Sequence, residues 1–213
     1  HLHLIAEPRR FGPEELNGAP IQVIAIPWIA RSGLLAALDV KVEDFSKVNE
    51  ELEERLTNVL EKWLKEFDPD LPTILTAHAS VQGATYGGER TVMLGGDLVY
   101  SPAFLKQPGI DYVALGHIHK HQDVNEGDHP PIVYPGSIER VDFGEAGDKK
   151  YFVIASVDRG KTNLDWRELK HIRTFIDRRI DFDADTEDIT RQMLEKLEPV
   201  EELKDAIVRL VVD

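Results

Sequence analysis

The segment that most restricts the fold of this 213-residue chain lies between two apolar runs, Ile21-Gln22-Val23-Ile24-Ala25-Ile26 and Thr73-Ile74-Leu75-Thr76-Ala77. From Phe45 onward, Val48, Leu52, Leu56, Val59, Leu60, Trp63, Leu64 and Phe67 recur at steps of three and four with Glu and Lys between them. This spacing predicts an amphipathic helix with one packed face and one solvated face. Asp44 is placed to cap its start, and Pro69 and Pro72 bound its end. The flanking runs read as buried strands, the first cut off by Pro27 and the second ending at His78. Strand, helix and strand in that order predict an α/β chain with a parallel sheet covered by helices.

Further elements follow after a Gly-rich loop over 83–88. Tyr112-Val113-Ala114-Leu115 is a strand running into Gly116-His117, and residues 130–137 form another short strand ending in a tight turn. YFVIASVD (151–158) and NLDWRELKHI (163–172) predict a hairpin around Arg159-Gly160-Lys161-Thr162. From Arg173 the pattern changes to an alternating strand, FIDRRIDFDAD, then a helix from Thr186 to about Leu197, then DAIVRLVVD. That unit is too small to hold a core alone, so it either begins a second domain or docks on the first, and the expected division is one domain over 1–172 and the start of a second over 173–213.

Three of the eight histidines fall at alternate positions in ALGHIHKHQ (114–122). In sheets covered by helices, ligands bind beyond the carboxyl ends of the strands, which is where His78 and His117 stand. Gly116 permits a sharp turn, and His117 and His119 point the same way if the backbone stays extended. A single histidine directly after a strand is more often a hydrogen-bonded surface or turn residue than a ligand. The Gly-His-Ile-His run adds weight to the alternative, a metal site formed by His117, His119 and His78. His121 reads as a solvated residue, or one that orients a ligand from behind. His1, His3, His129 and His171 have no supporting context.

The chain has no cysteine, so any metal must be held by nitrogen and oxygen, and a reducing cytoplasm is the compartment that fits. No apolar run approaches the roughly 20 residues that span a membrane, and HLHLIAEPRR lacks the parts of a signal peptide. A net charge of −14 opposes nucleic-acid binding through the overall field. It is compatible with a local basic groove, or with a carboxylate-rich site whose ions reverse the local potential.

TAHAS (76–80), DYVALGHIHKHQ (111–122) and YPGSIERVDFGE (134–145), in that order, resemble the later motifs of the SbcD nuclease family within the calcineurin-like metallophosphoesterases. Gly-His-x-His is shared across that superfamily, and YPGSIERVDFGE discriminates more. AIPW (25–28) and the terminal DAIVRLVVD extend the resemblance over nearly the whole chain. The resemblance implies a two-sheet sandwich flanked by helices, followed by a small capping domain that contributes to DNA binding. Residues 1–172 would be the C-terminal half of the phosphoesterase domain and 173–213 the start of the cap. It also implies two manganese ions, hydrolysis of DNA phosphodiesters, an SbcC-type ATPase partner and a homodimer. Carried over position by position, His78 and His117 would bind one metal and His119 the other. Arg90, Lys120 and Arg140, in or beside the motif loops, are the candidate DNA contacts, with Arg178-Arg179 serving the cap.

The chain departs from the family in lacking Asp-x-His, Gly-Asp-x-x-Asp and Gly-Asn-His motifs. His1-Leu2-His3 has no preceding aspartate, and Gly95-Gly96-Asp97 reads as a turn. No proton-donating catalytic histidine is therefore assigned. The expectation is a chain that begins in mid-domain, binds manganese weakly and hydrolyses poorly or not at all. Two other readings stand beside it: an enzyme acting on a small phosphoester, and a metal-free scaffold that keeps the fold to bind partners.

Overall fold

The computed structural model describes residues 2–29, 45–87, 98–181, 188–197 and 200–212. The predicted helix, α1, runs Phe45–Glu66 and connects strands β2 (Gln22–Ile26) and β3 (Thr73–His78), which pair in parallel. Asp44, the expected cap of α1, lies outside the described residues. Leu52, Leu56 and Leu60 are buried in one cluster with Ile24, Leu75 and Val113, and Trp63, Leu64 and Phe67 pack against it. Each fully buried leucine contributes about 2 kcal/mol. Val59, expected on this face, lies at the edge of the stripe and is 38% exposed.

Among the described residues the main sheet has six strands. Strand β1 (Arg9–Phe11) lies antiparallel to β2, and β3 continues in parallel to β6 (Tyr112–Gly116) and β8 (Ile132–Tyr134). Strand β7 (Gln122–Asp123) closes the far edge antiparallel to β8. A separate pair joins β4 (Ser80–Val81) to β5 (Val99–Tyr100), just ahead of the one-turn helix α2 (Pro102–Leu105). The mixed α/β architecture matches expectation. Strands β1, β4, β5 and β7 are additions to it: two or three residues cannot display a period of two, so their pairing depends on partners distant in sequence.

The hairpin is present as β9 (Tyr151–Asp158) and β10 (Lys161–Glu168). Its second strand begins two residues before, and ends four residues before, the segment read from sequence. Gly160, at φ +70°, makes the tight turn. One buried carboxylate ties this turn to the main sheet. Asp111 accepts from Thr73 N (2.8 Å), Arg159 Nη1 (2.6 Å) and Gly160 N (2.7 Å). Asp111→Asn keeps the shape but turns an amide group toward a donor and leaves Arg159 without its counter-charge. It is expected to cost about 2 kcal/mol in urea unfolding and to speed hydrogen exchange at Gly160.

The C-terminal unit is also a strand, helix and strand. Strand β11 (Phe175–Ile180) pairs in parallel with β12 (Ile207–Val212), and α3 (Ile189–Lys196) lies between them in sequence, its start capped by Asp188. The helix ends one residue before the Leu197 expected, and Thr186, its expected start, lies outside the described residues. Phe143, from the loop after β8, meets the Phe175 ring at 5.0 Å and lies under the Arg209 guanidinium at 4.3 Å. Among the described residues no helix is long and apolar enough to cross a membrane.

Candidate metal centre

Because β2, β3 and β6 are parallel, their carboxyl ends lie side by side, with Ile26 paired to Ala77 and His78 to Gly116. Trp28 follows β2, His78 ends β3 and His117 follows β6. Their rings form one cluster: Trp28 to His117 4.5 Å, His78 to His117 5.1 Å and Trp28 to His78 5.7 Å between centroids. Gly116 makes the closeness possible, since a Cβ there would stand 3.1 Å from His78 Nδ1. The segment after His78 is pinned by Ala79 N to Gly116 O (3.3 Å) and by the buried Tyr134 hydroxyl to Ala79 O (2.6 Å).

His117 holds φ +104°, a left-handed conformation that a non-glycine residue rarely adopts. The extended backbone expected from Gly116 to His119 is therefore broken. Ile118 is buried in the core, His117 turns to Trp28 and His78, and His119 turns to a different partner. Strain of this kind costs on the order of 1–3 kcal/mol and collects at functional sites.

Desolvation lowers the His78 pKa, and the neighbouring His117 and His119 lower it further. Its imidazole stays neutral, with a lone pair available, to more acid pH than an ordinary histidine. The unfolded chain takes up this proton first, near the ordinary value of about 6.5, so the group's contribution to stability is present above that pH and is lost as pH falls from there through the lower value of the folded chain. An NMR titration of His78 in the folded chain is expected to give a midpoint below that ordinary value of about 6.5.

His119 Nδ1 lies 2.7 Å from Glu145 Oε1. The other carboxylate oxygen accepts from Lys150 Nζ (2.8 Å), from Val141 N (3.2 Å) and, at 3.4 Å, from Ser137 Oγ. Glu145 and Lys150 are both fully buried. Burial would raise the Glu145 pKa, but the bonds from Lys150 and His119 outweigh it and hold the carboxyl below its usual range. The loop carrying Glu145 is pressed onto the histidine segment at Gly136: φ is +86° there, and a Cβ would fall 2.6 Å from His119 O and 3.0 Å from His121 N.

The other assigned residues scatter. Lys120 is exposed beside the site. Arg140 donates to the carbonyls of Asp148 (2.9 Å) and Arg173 (2.8 Å), tying its loop to the chain ahead of β11. His121 packs on Tyr151 (4.1 Å) and Trp166 (5.8 Å) of the hairpin. Arg90 and the turn Gly95-Gly96-Asp97 lie outside the described residues. Trp28, Glu145 and Lys150 join the site without being expected there. For Glu145 the available signal was its place at the end of YPGSIERVDFGE; an isolated Glu or Lys otherwise reads as solvated.

Among the described residues no group of three or more His, Asp and Glu side chains is set to hold one ion. The donors present do suit a divalent metal. In a chain without cysteine two imidazoles share one place, and a third has its Nδ1 beside a carboxylate.

A family model described as calcineurin-like phosphoesterase matches residues 11–121, just over half of the chain. Among curated proteins, the chain is 46% identical over 50 residues to the uncharacterized metallophosphoesterase YhaO of Bacillus subtilis (strain 168), covering 24% of this chain and 12% of that protein. It is 35% identical over 94 residues to the SbcD component of the nuclease SbcCD of Escherichia coli (strain K12), covering 44% of this chain and 23% of that protein. The same figures hold for the corresponding protein of Escherichia coli O157:H7. The matched part of the chain thus spans less than a quarter of each of these relatives.

Proposed function

The chain belongs to the calcineurin-like phosphoesterase family, and from that premise we propose that it carries the histidine side of a two-metal site that hydrolyses phosphodiester bonds in DNA with manganese. The observation that carries this reading is the convergence of His78 and His117 at adjacent strand ends, 5.1 Å between ring centroids, with His119 fixed by Glu145. His78 and His117 would hold one ion and His119 the other. When bound, such ions polarise the phosphoryl oxygens and lower the pKa of an attacking water.

The chain's own residues do the rest. Partial desolvation and neighbouring imidazoles keep His78 in its lone-pair form, the turn at His117 aims its ring at His78, and Trp28 walls one side of the pair with an apolar face. Lys120 offers an exposed cation beside the site for a phosphate. DNA as substrate and an SbcC-type ATPase as partner are supported by the order of the three motifs and by the similarity to the SbcD component of the nuclease SbcCD. Homodimerisation, and a capping role for the segment from residue 173, come from the same resemblance.

The chain has no Gly-Asp-x-x-Asp motif to bridge two ions. The purified 213-residue chain is therefore expected to cleave linear duplex DNA at background rate with manganese, while still binding the ion. Manganese-dependent cleavage abolished by His117→Ala would show that the site is complete and overturn the half-site reading. Turnover of an aryl phosphate without DNA cleavage would move the substrate to small phosphoesters.

A further inference from the structure

We propose that Glu145 and Lys150 form a positioning pair that sets the tautomer and direction of the His119 ring, so that His119 meets a divalent ion through Nε2. This rests on the proposed metal-binding role of His119.

The pair is costly where it stands. Its side chains are 0% and 1% exposed, and removing two charges from water costs several kcal/mol per ion even after relaxation. A buried ion pair that serves stability alone can often be exchanged for uncharged residues of similar volume with little loss. What distinguishes this pair is the use of both carboxylate oxygens. Oε2 is occupied by the Lys150 ammonium and the Val141 amide, which fixes the plane of the carboxylate. Oε1 faces His119 Nδ1 at 2.7 Å, and an ionised carboxylate can only accept, so Nδ1 carries a proton and, in the neutral ring, the lone pair lies on Nε2. Lys150 holds the charge of Glu145 in place and so acts on His119 through it. Its ammonium also approaches His119 O at 3.5 Å, holding the backbone of the same residue. Ring and main chain of His119 are thus both gripped from behind by residues that the ion would not touch.

The test compares the intact 213-residue chain with Glu145→Gln, with Lys150→Met, and with the two combined. Three quantities are measured: the His119 tautomer by nitrogen–proton NMR without metal, manganese affinity from the EPR signal of the free ion, and the urea midpoint. The intact chain is expected to show His119 protonated at Nδ1. Glu145→Gln leaves the buried Lys150 ammonium with the more distant Asp148 carboxylate at 3.8 Å, and Lys150→Met leaves the Glu145 carboxylate without its ammonium, so either single change lowers the midpoint. The combined change removes both charges and restores much of the midpoint, yet manganese affinity stays about 10–100-fold down and the Nδ1-protonated form loses its dominance, because a neutral amide can donate to the ring as readily as accept from it. Recovery of affinity together with the midpoint would show a merely structural pair and overturn the inference. So would an intact chain that binds manganese with His119 protonated at Nε2, which leaves the proposed function standing. An intact chain that binds no manganese at millimolar concentration would remove both.

Discussion

Gly136→Ala is expected to destabilise the protein by about 3–5 kcal/mol, more than the same change at Gly160 or Gly12. Two costs combine. The residue sits at φ +86°, where a side chain costs about 1–2 kcal/mol, and the new carbon would lie 2.6 Å from the carbonyl oxygen of His119. That oxygen is backbone, already accepting from Ser137 N at 3.1 Å, and cannot rotate away as a flexible side chain would. Gly160→Ala separates the two costs: φ is +70° but nothing lies within 4 Å, so only the conformational part, about 1 kcal/mol, is expected. Gly12→Ala, with ordinary φ and open space, should be near neutral. Urea unfolding of the three variants ranks them. Equal losses at Gly136 and Gly160 would show that the loop is not pressed on the histidine segment as described.

His117→Gly is expected to move stability and metal binding in opposite directions. His117→Gly relieves a backbone held at φ +104° and should stabilise the fold by about 1 kcal/mol or more, while removing an imidazole of the proposed site. His117→Ala removes the same ring but keeps a Cβ in the strained conformation, so it should not share the gain. Both are expected to weaken manganese binding at least about tenfold, a loss no smaller than that from disturbing a residue behind a ligand. Stabilisation without loss of metal would mean that the strain serves something else.

The parts of this molecule legible in its sequence are those whose signal is long or local. Helix α1 announces itself through its long run of apolar spacing, and strands β2, β3 and β6 through apolar runs ending at Pro27, His78 and Gly116. His78 and His117 follow from the rule that ligands bind at the ends of parallel strands, and the register that pairs His78 with Gly116 places them as that rule requires. Glu145 and Lys150 are not legible in the same way. They look like any surface charges until a loop pinned at Gly136 and closed by the 3-10 turn Phe143–Glu145 carries them into the interior against His119. The direction of His119 also departs from expectation, because alternation assumes an extended chain and the turn at His117 breaks it. Trp28 gives no signal of its own, because a tryptophan following a proline reads as packing until the neighbouring strand ends are placed.

His78, His117 and His119 are proposed as nitrogen ligands of a divalent-ion site whose bridging Gly-Asp-x-x-Asp motif this sequence lacks. Pulsed EPR of manganese added to the 213-residue chain tests it most directly, since a coordinated imidazole leaves a nitrogen coupling on the ion. Weak binding is expected, with imidazole nitrogen coupling that is diminished in each of His78→Ala, His117→Ala and His119→Ala and lost when all three are replaced. Manganese bound without nitrogen coupling, or a coupling unchanged in all three variants, would contradict it.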